Sequence, residues 1–98
     1  MNENAFIVPQ GTKIIESGAF KERKDLKDVV IPDSVTEIVD SAFCGCSGLE
    51  SIVIPNSVTE IEESAFEGCS RLKSVVIPNS ETEIGASAFD EDCTVTFS

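Results

Sequence analysis

The feature that most constrains this chain is a period. Its prolines, Pro9, Pro32, Pro55 and Pro78, fall at a constant step of 23 residues. The same step relates Phe20, Phe43, Phe66 and Phe89, then Ala19, Ala42, Ala65 and Ala88, then Ile15, Ile38, Ile61 and Ile84. Leu26, Leu49 and Leu72 form a further column, as do Ile31, Ile54 and Ile77 with Val8 ahead of them, and Val29, Ile52 and Val75 with Phe6 ahead. A fixed period of this length belongs to stacked repeats, because one short unit cannot bury its own apolar face but successive copies bury a continuous one. With 98 residues, 41% hydrophobic and 26% charged, the chain has ordinary globular composition and enough length for one such stack.

Within one unit, Leu49-Glu50-Ser51-Ile52-Val53-Ile54-Pro55 carries the spacing L-x-x-I-x-I, which fits a short strand whose residues 1, 4 and 6 point inward. Pro55 lacks an N–H and ends the pairing; Asn56-Ser57 then turns the chain, and Val58 and Ile61 supply the next inward contacts. Ser64-Ala65-Phe66-Glu67-Gly68-Cys69 combines a small residue, a large ring and a Gly free to take a left-handed conformation, and reads as a tight helical turn. Stacked copies bring these strands to about 4.8 Å spacing in a parallel sheet. The expected fold is a short right-handed solenoid with about five parallel strands, tight helical or 3-10 turns and little regular α-helix.

The ends depart from the pattern. Phe6-Ile7-Val8-Pro9 is the strand half of a repeat without its Leu lead-in, so the first strand is expected to present a bare edge covered only by Met1 to Ala5. Asp90-Glu91-Asp92-Cys93 replaces the Gly-Cys turn, and Thr94-Val95-Thr96-Phe97 alternates as a closing strand should. Residues 1–98 are therefore expected to form a single domain of about four 23-residue repeats, with residues 94–97 as its closing strand.

Residues 49 to 69, L-x-x-I-x-I-P-N-S-V-T-E-I-x-x-S-A-F-x-G-C, closely resemble the BspA-type leucine-rich repeats of bacterial and protist surface proteins. The resemblance spans about four units and includes the I-P, A-F and G-C features together. It implies a leucine-rich repeat fold, a non-enzymatic protein-protein interaction module and, in exported members, adhesion to host or neighbouring proteins. It implies no catalytic residues and no cofactor.

Composition narrows the chemistry independently. The chain has no His, so the commonest general base and imidazole metal ligand are missing. No phosphate loop or metal cluster is legible either, and none of Ser17, Ser41, Ser64 and Ser87 has a base to activate it. A net charge of -11 and a pI near 4.1 argue against nucleic acid and anionic membrane, both of which require clustered Lys and Arg. No segment has the roughly 20 apolar residues of a membrane span, and the N-terminus lacks the basic and apolar regions of a signal peptide. That fits a cytoplasmic protein if Met1 is native, and a cell-surface or secreted one if the chain is an excised or mature piece.

Several columns are candidate sites. The fifth strand position is outward and holds Ile7, Val30, Val53 and Val76, an apolar stripe that Thr96 continues and that Lys27, Glu50 and Lys73 flank. Such a stripe is either a contact surface for another protein or the result of β-branched residues stacking well in a sheet. Glu37, Glu60 and Glu83 stack at the same step, with Asp40, Glu62 and Glu63 nearby; a solvated acidic face is the expected reading, against a calcium site for which no ligand loop exists. Cys44, Cys46, Cys69 and Cys93 follow the repeat rather than the paired spacing of a zinc site or a disulfide framework, and read as buried thiols. The bare first strand adds an alternative function, a self-assembling structural unit joined through uncapped solenoid ends, with a weak homodimer opposed by net charge.

Overall fold

A computed structural model describes residues 5–97, excluding the side chain of Ala5. Among the described residues nine strands run in chain order: β1 (Ala5–Ile7), β2 (Ile14–Ile15), β3 (Asp28–Val30), β4 (Glu37–Ile38), β5 (Ser51–Val53), β6 (Glu60–Ile61), β7 (Ser74–Ile77), β8 (Glu83–Ile84) and β9 (Thr94–Phe97). Odd strands occupy one side of the coil and even strands another. All pairings are parallel, and every step within residues 5–84 has the register of the sequence period: Phe6 opposite Val29, Val29 opposite Ile52, Ile38 opposite Ile61, Ile61 opposite Ile84. The result is a parallel β-solenoid of about four turns, a leucine-rich repeat architecture.

The inward columns form the core that the spacing predicts. Leu49, Ile52 and Ile54 are all buried, as are their counterparts Leu26, Val29 and Ile31. Phe20, Phe43, Phe66 and Phe89 stack with ring centroids 5.0 Å apart, and Phe6 closes the spine edge-on, 5.3 Å from Phe20. Offset stacks at this separation add to the area each ring buries.

Three expectations need correction. First, the segments expected to form helical or 3-10 turns contain no helical run among the described residues. Their hydrogen bonding explains why. Ala42, Cys44 and Cys46 donate their N–H groups locally, to the carbonyls of Val39, Ser41 and Phe43, each at 3.2 Å. The intervening Ser41, Phe43 and Gly45 donate to Glu63, Ala65 and Glu67 of the next coil, at 3.3, 2.7 and 2.7 Å. A helix needs each successive N–H for itself; here alternate ones bind coil to coil, and Ser41 (φ 58°) and Gly45 (φ 79°) take left-handed backbone between them. A Cβ on Gly68 would lie 3.2 Å from the Cα of Gly45, so the Gly column also serves close approach.

Second, the chain builds two sheet faces rather than one. The short T-E-I strands β2, β4, β6 and β8 form a continuous four-stranded ladder, whereas the odd strands form a three-stranded sheet β1-β3-β5 and a pair β7-β9. Five odd strands are present, but their ladder is interrupted between β5 and β7. Third, the first strand is less bare than its missing lead-in suggests: Val8 is buried, and Phe6 is half-buried against Phe20. Residues 1–4 of the expected N-terminal cover lie outside the described residues.

Candidate functional site

Two outward rows stand side by side on the solenoid, and their chemistry differs. On the odd-strand face, the strand places Ile52 inward and Val53 outward, because successive side chains alternate across a strand. Ile7, Val53 and Val76 are 62%, 57% and 53% exposed. Val30 belongs to the same row but is half-buried, which nothing in the structure explains. An open groove of about 350 Å³ follows the break in the ladder and is lined by Val53, Ile54, Val75, Val76 and Pro78 with Ser51 and Ser74. The flanking residues are also placed: Lys27 is half-buried, Glu50 pairs with Arg71 at 3.6 Å, and Lys73 approaches Asp92 at 3.9 Å. These pairs are exposed, so they set local charge more than stability.

On the even-strand face the outward position is acidic. Glu37 lies opposite Glu60, and Glu60 opposite Glu83, as the repeat predicts. Carboxylate oxygens of Glu37, Glu60 and Glu62 come within 4.8 Å of one another. Hydrogen bonding to Glu62 pushes the Glu37 carboxyl above the usual carboxylate range, with smaller contributions from burial and the repulsion of Glu62, Glu60 and Glu16. Glu37 and Glu62 are half-buried, and three carboxylates fall short of the six to eight oxygens calcium takes. A second open groove, about 650 Å³, runs beside them between Glu60, Glu62, Glu63 and Glu83, with Ile61 and Ile84 at its base. Sequence reasoning placed this acidic row but missed that its residues form strands; the T-E-I pattern in each repeat was the available signal.

The threonines below this face form a further column. Thr59 Oγ1 donates to the Thr36 carbonyl at 3.2 Å, and buried Thr82 Oγ1 to the Val58 carbonyl at 2.7 Å. The cysteines serve packing. Cys46 and Cys69 are buried and donate their thiol hydrogens to the carbonyls of Phe20 and Phe43, at 3.0 and 3.2 Å, while Cys44 and Cys93 are half-buried; all four are free thiols. Contact with the Cys46 thiol, then burial, raises the pKa of Cys69, and burial raises that of Cys93. Neither is poised as a nucleophile.

The comparisons agree with this geometry. The profile described as "BspA type Leucine rich repeat region" matches six copies over residues 2–97. The chain belongs to the BspA-type leucine-rich repeat family. Among solved structures, this BspA-type solenoid resembles a leucine-rich repeat protein from Bacteroides ovatus ATCC 8483, at TM-score 0.82 and 33% identity over 93% of this chain and 26% of that one. It also resembles the T. pallidum Leucine Rich Repeat protein, at TM-score 0.77 and 28% identity over 91% and 55%. A leucine rich cell surface protein from Faecalibacterium prausnitzii A2-165 matches at TM-score 0.60 and 25% identity over 98% and 32%. The chain thus spans between about a quarter and just over half of these proteins. No curated protein matches it. Among the described residues, no helix is long and apolar enough to cross a membrane.

Proposed function

We propose that this chain is a non-catalytic protein-interaction module, folded as one domain, that presents its odd-strand face to a protein ligand. The observation that carries this reading is the row Ile7, Val53 and Val76, each more than half exposed in a molecule whose other aliphatic columns are almost completely buried. Exposed contiguous apolar surface is the usual mark of a contact site. Lys27, Glu50 and Lys73 give the row a polar rim, and the groove beside Val53 and Val76 offers depth for an inserted side chain. One similar structure is of a cell surface protein, and an adhesive role for an exported form of this chain would place the row toward neighbouring cells or host proteins.

Binding of the chain to an array of candidate extracellular and bacterial proteins tests the reading, with three forms compared: wild type, Val53→Lys/Val76→Lys and Glu60→Lys/Glu83→Lys. The expected result is a ligand bound by wild type and by the even-face variant, and lost at least tenfold by the odd-face variant with an unchanged denaturation midpoint. Ligands lost only by the even-face variant would move the site to the acidic face and overturn the proposal.

A further inference from the structure

Of the four cysteines, two share a column. Cys46 and Cys69 are one period apart, whereas the residues one period from Cys44 are Lys21 and Glu67, and the charged groups about Cys93 are Asp90 and Lys73. Adjacent coils carry the pair at close range. The Phe43 and Phe66 rings, three residues before them, stack at 5.0 Å and within 5° of parallel. A coil spacing of this order lies inside the range of roughly 4.4 to 6.8 Å that a disulfide spans between Cα atoms. The side chain of Cys69 also leans toward its neighbour. Its Sγ donates to the Phe43 carbonyl at 3.2 Å, the same carbonyl that the Cys46 N–H reaches at 3.2 Å.

The surroundings divide the pair. The Cys69 thiol, and after it the Arg23 N–H and guanidinium, hold the Cys46 thiol below its ordinary range although burial opposes them. The same contact, with burial, raises Cys69. One sulfur is thus held toward its thiolate beside another held protonated, the arrangement in which a first thiol attacks an oxidant and a second resolves the product.

We propose that Cys46 and Cys69 are a peroxide-sensitive dithiol that closes into a disulfide between adjacent coils. The Cys46 thiolate attacks one oxygen of hydrogen peroxide; the O–O bond breaks, the departing hydroxide takes up a proton, and Cys46 becomes a sulfenic acid. Cys69 then attacks the Cys46 sulfur. The S–S bond forms, the S–O bond breaks, and the hydroxide leaves as water with the Cys69 proton, so one peroxide is reduced to two waters as two thiols are oxidised. Cys69 is not held back at this step, because the ionised neighbour that raised it has become neutral. Both sulfurs are buried, so peroxide enters as the turn opens, and the half-buried Cys44 and Cys93 react ahead of them unless replaced. The crosslink uses neither outward row and is independent of the ligand-binding reading.

The test uses the full chain as Cys44→Ser/Cys93→Ser, with the wild type alongside. The folded protein is exposed to hydrogen peroxide, then unfolded and alkylated. The expected product is a monomer two hydrogens lighter that takes no label, and cleavage after Glu50 and Glu67 leaves its Cys46 and Cys69 peptides joined. Its denaturation midpoint should lie above that of the reduced chain and fall back on treatment with dithiothreitol. Cys69→Ala in the same background removes the second sulfur, and peroxide should then leave Cys46 as a sulfenic acid that dimedone labels. Should either variant fail to fold, the wild-type digest carries the same joined peptides. Thiols that still take label in full, a Cys46 that passes to sulfinic acid with Cys69 free, or a crosslink that joins two chains would each overturn the proposal.

Discussion

The odd-strand and even-strand faces share one period, one direction of pairing and one core, yet their outward rows are chemical opposites. Ile7, Val53 and Val76 stand on the first, Glu37, Glu60 and Glu83 on the second. Both faces are held by what lies behind them: coil-to-coil hydrogen bonds and the columns of Ile, Leu and Phe. The difference teaches that the solenoid constrains its inward positions and leaves outward ones open to other uses. A row of aliphatic side chains in water and a row of like charges at strand spacing are both poor choices for stability.

The largest expected effect removes what the two faces have in common. Phe66 is fully buried between Phe43 and Phe89, and Phe66→Ala should cost about 3 to 5 kcal/mol, read as a fall in the denaturant midpoint. Hydrogen exchange should rise in β5 and β6 together. Protection lost on one face alone would show that the faces do not share a core.

Next in size is an even-face support. Thr82→Val keeps the shape but removes the buried hydroxyl that donates to the Val58 carbonyl. The expected cost is about 1 to 2 kcal/mol, and an unchanged midpoint would mean that the carbonyl is satisfied without it. Thr59→Val, whose bond is longer and lies at an exposed position, should cost less.

Relief of the acidic row should act in the opposite direction and more weakly. Glu60→Gln removes the central charge of the ladder and should raise the midpoint at neutral pH. The sign with pH follows from Glu37, whose carboxyl is raised in the folded chain. Its contribution to stability is fully present below the ordinary carboxylate pKa and is lost as pH rises through the raised folded value. Between those values the wild-type chain should lose more stability than Glu60→Gln, and a parallel pH dependence of the two would detach the ladder from stability.

How far these faces could be read in advance depended on the physics each one uses. The odd strands were legible because L-x-x-I-x-I alternates buried and exposed residues over a full strand, and Leu49, Ile52 and Ile54 are buried accordingly. The even strands were not, because two residues are too short to show an alternation; only their position opposite equivalent residues in the next coil makes them strands. The turn around Phe43 reads as helical in the sequence, and is not, for a related reason. Ala-Phe-x-Gly is compatible with a local turn, but the partners at Ala65 and Glu67 that claim the alternate N–H groups are 22 residues away. The positions of the outward Val and Glu rows follow the period, although Val30 is half-buried within its row, while the interrupted ladder between β5 and β7 and its groove had no counterpart in the period.

The smallest expected effect bears most directly on function. If Val53 is in its row because β-branched residues suit a sheet, Val53→Thr keeps that preference and Val53→Ala removes it. At a position 57% exposed, both changes should move the denaturation midpoint little, by less than about 0.5 kcal/mol for Thr and somewhat more for Ala. Thr, however, puts a hydroxyl where the groove wall is a methyl group. For a ligand that buries this row, losing that apolar contact should weaken binding by a factor that the midpoint does not register. A stability change as large as the change in affinity would instead mean that Val53 serves the sheet, and the two outward rows would then differ in charge without differing in use.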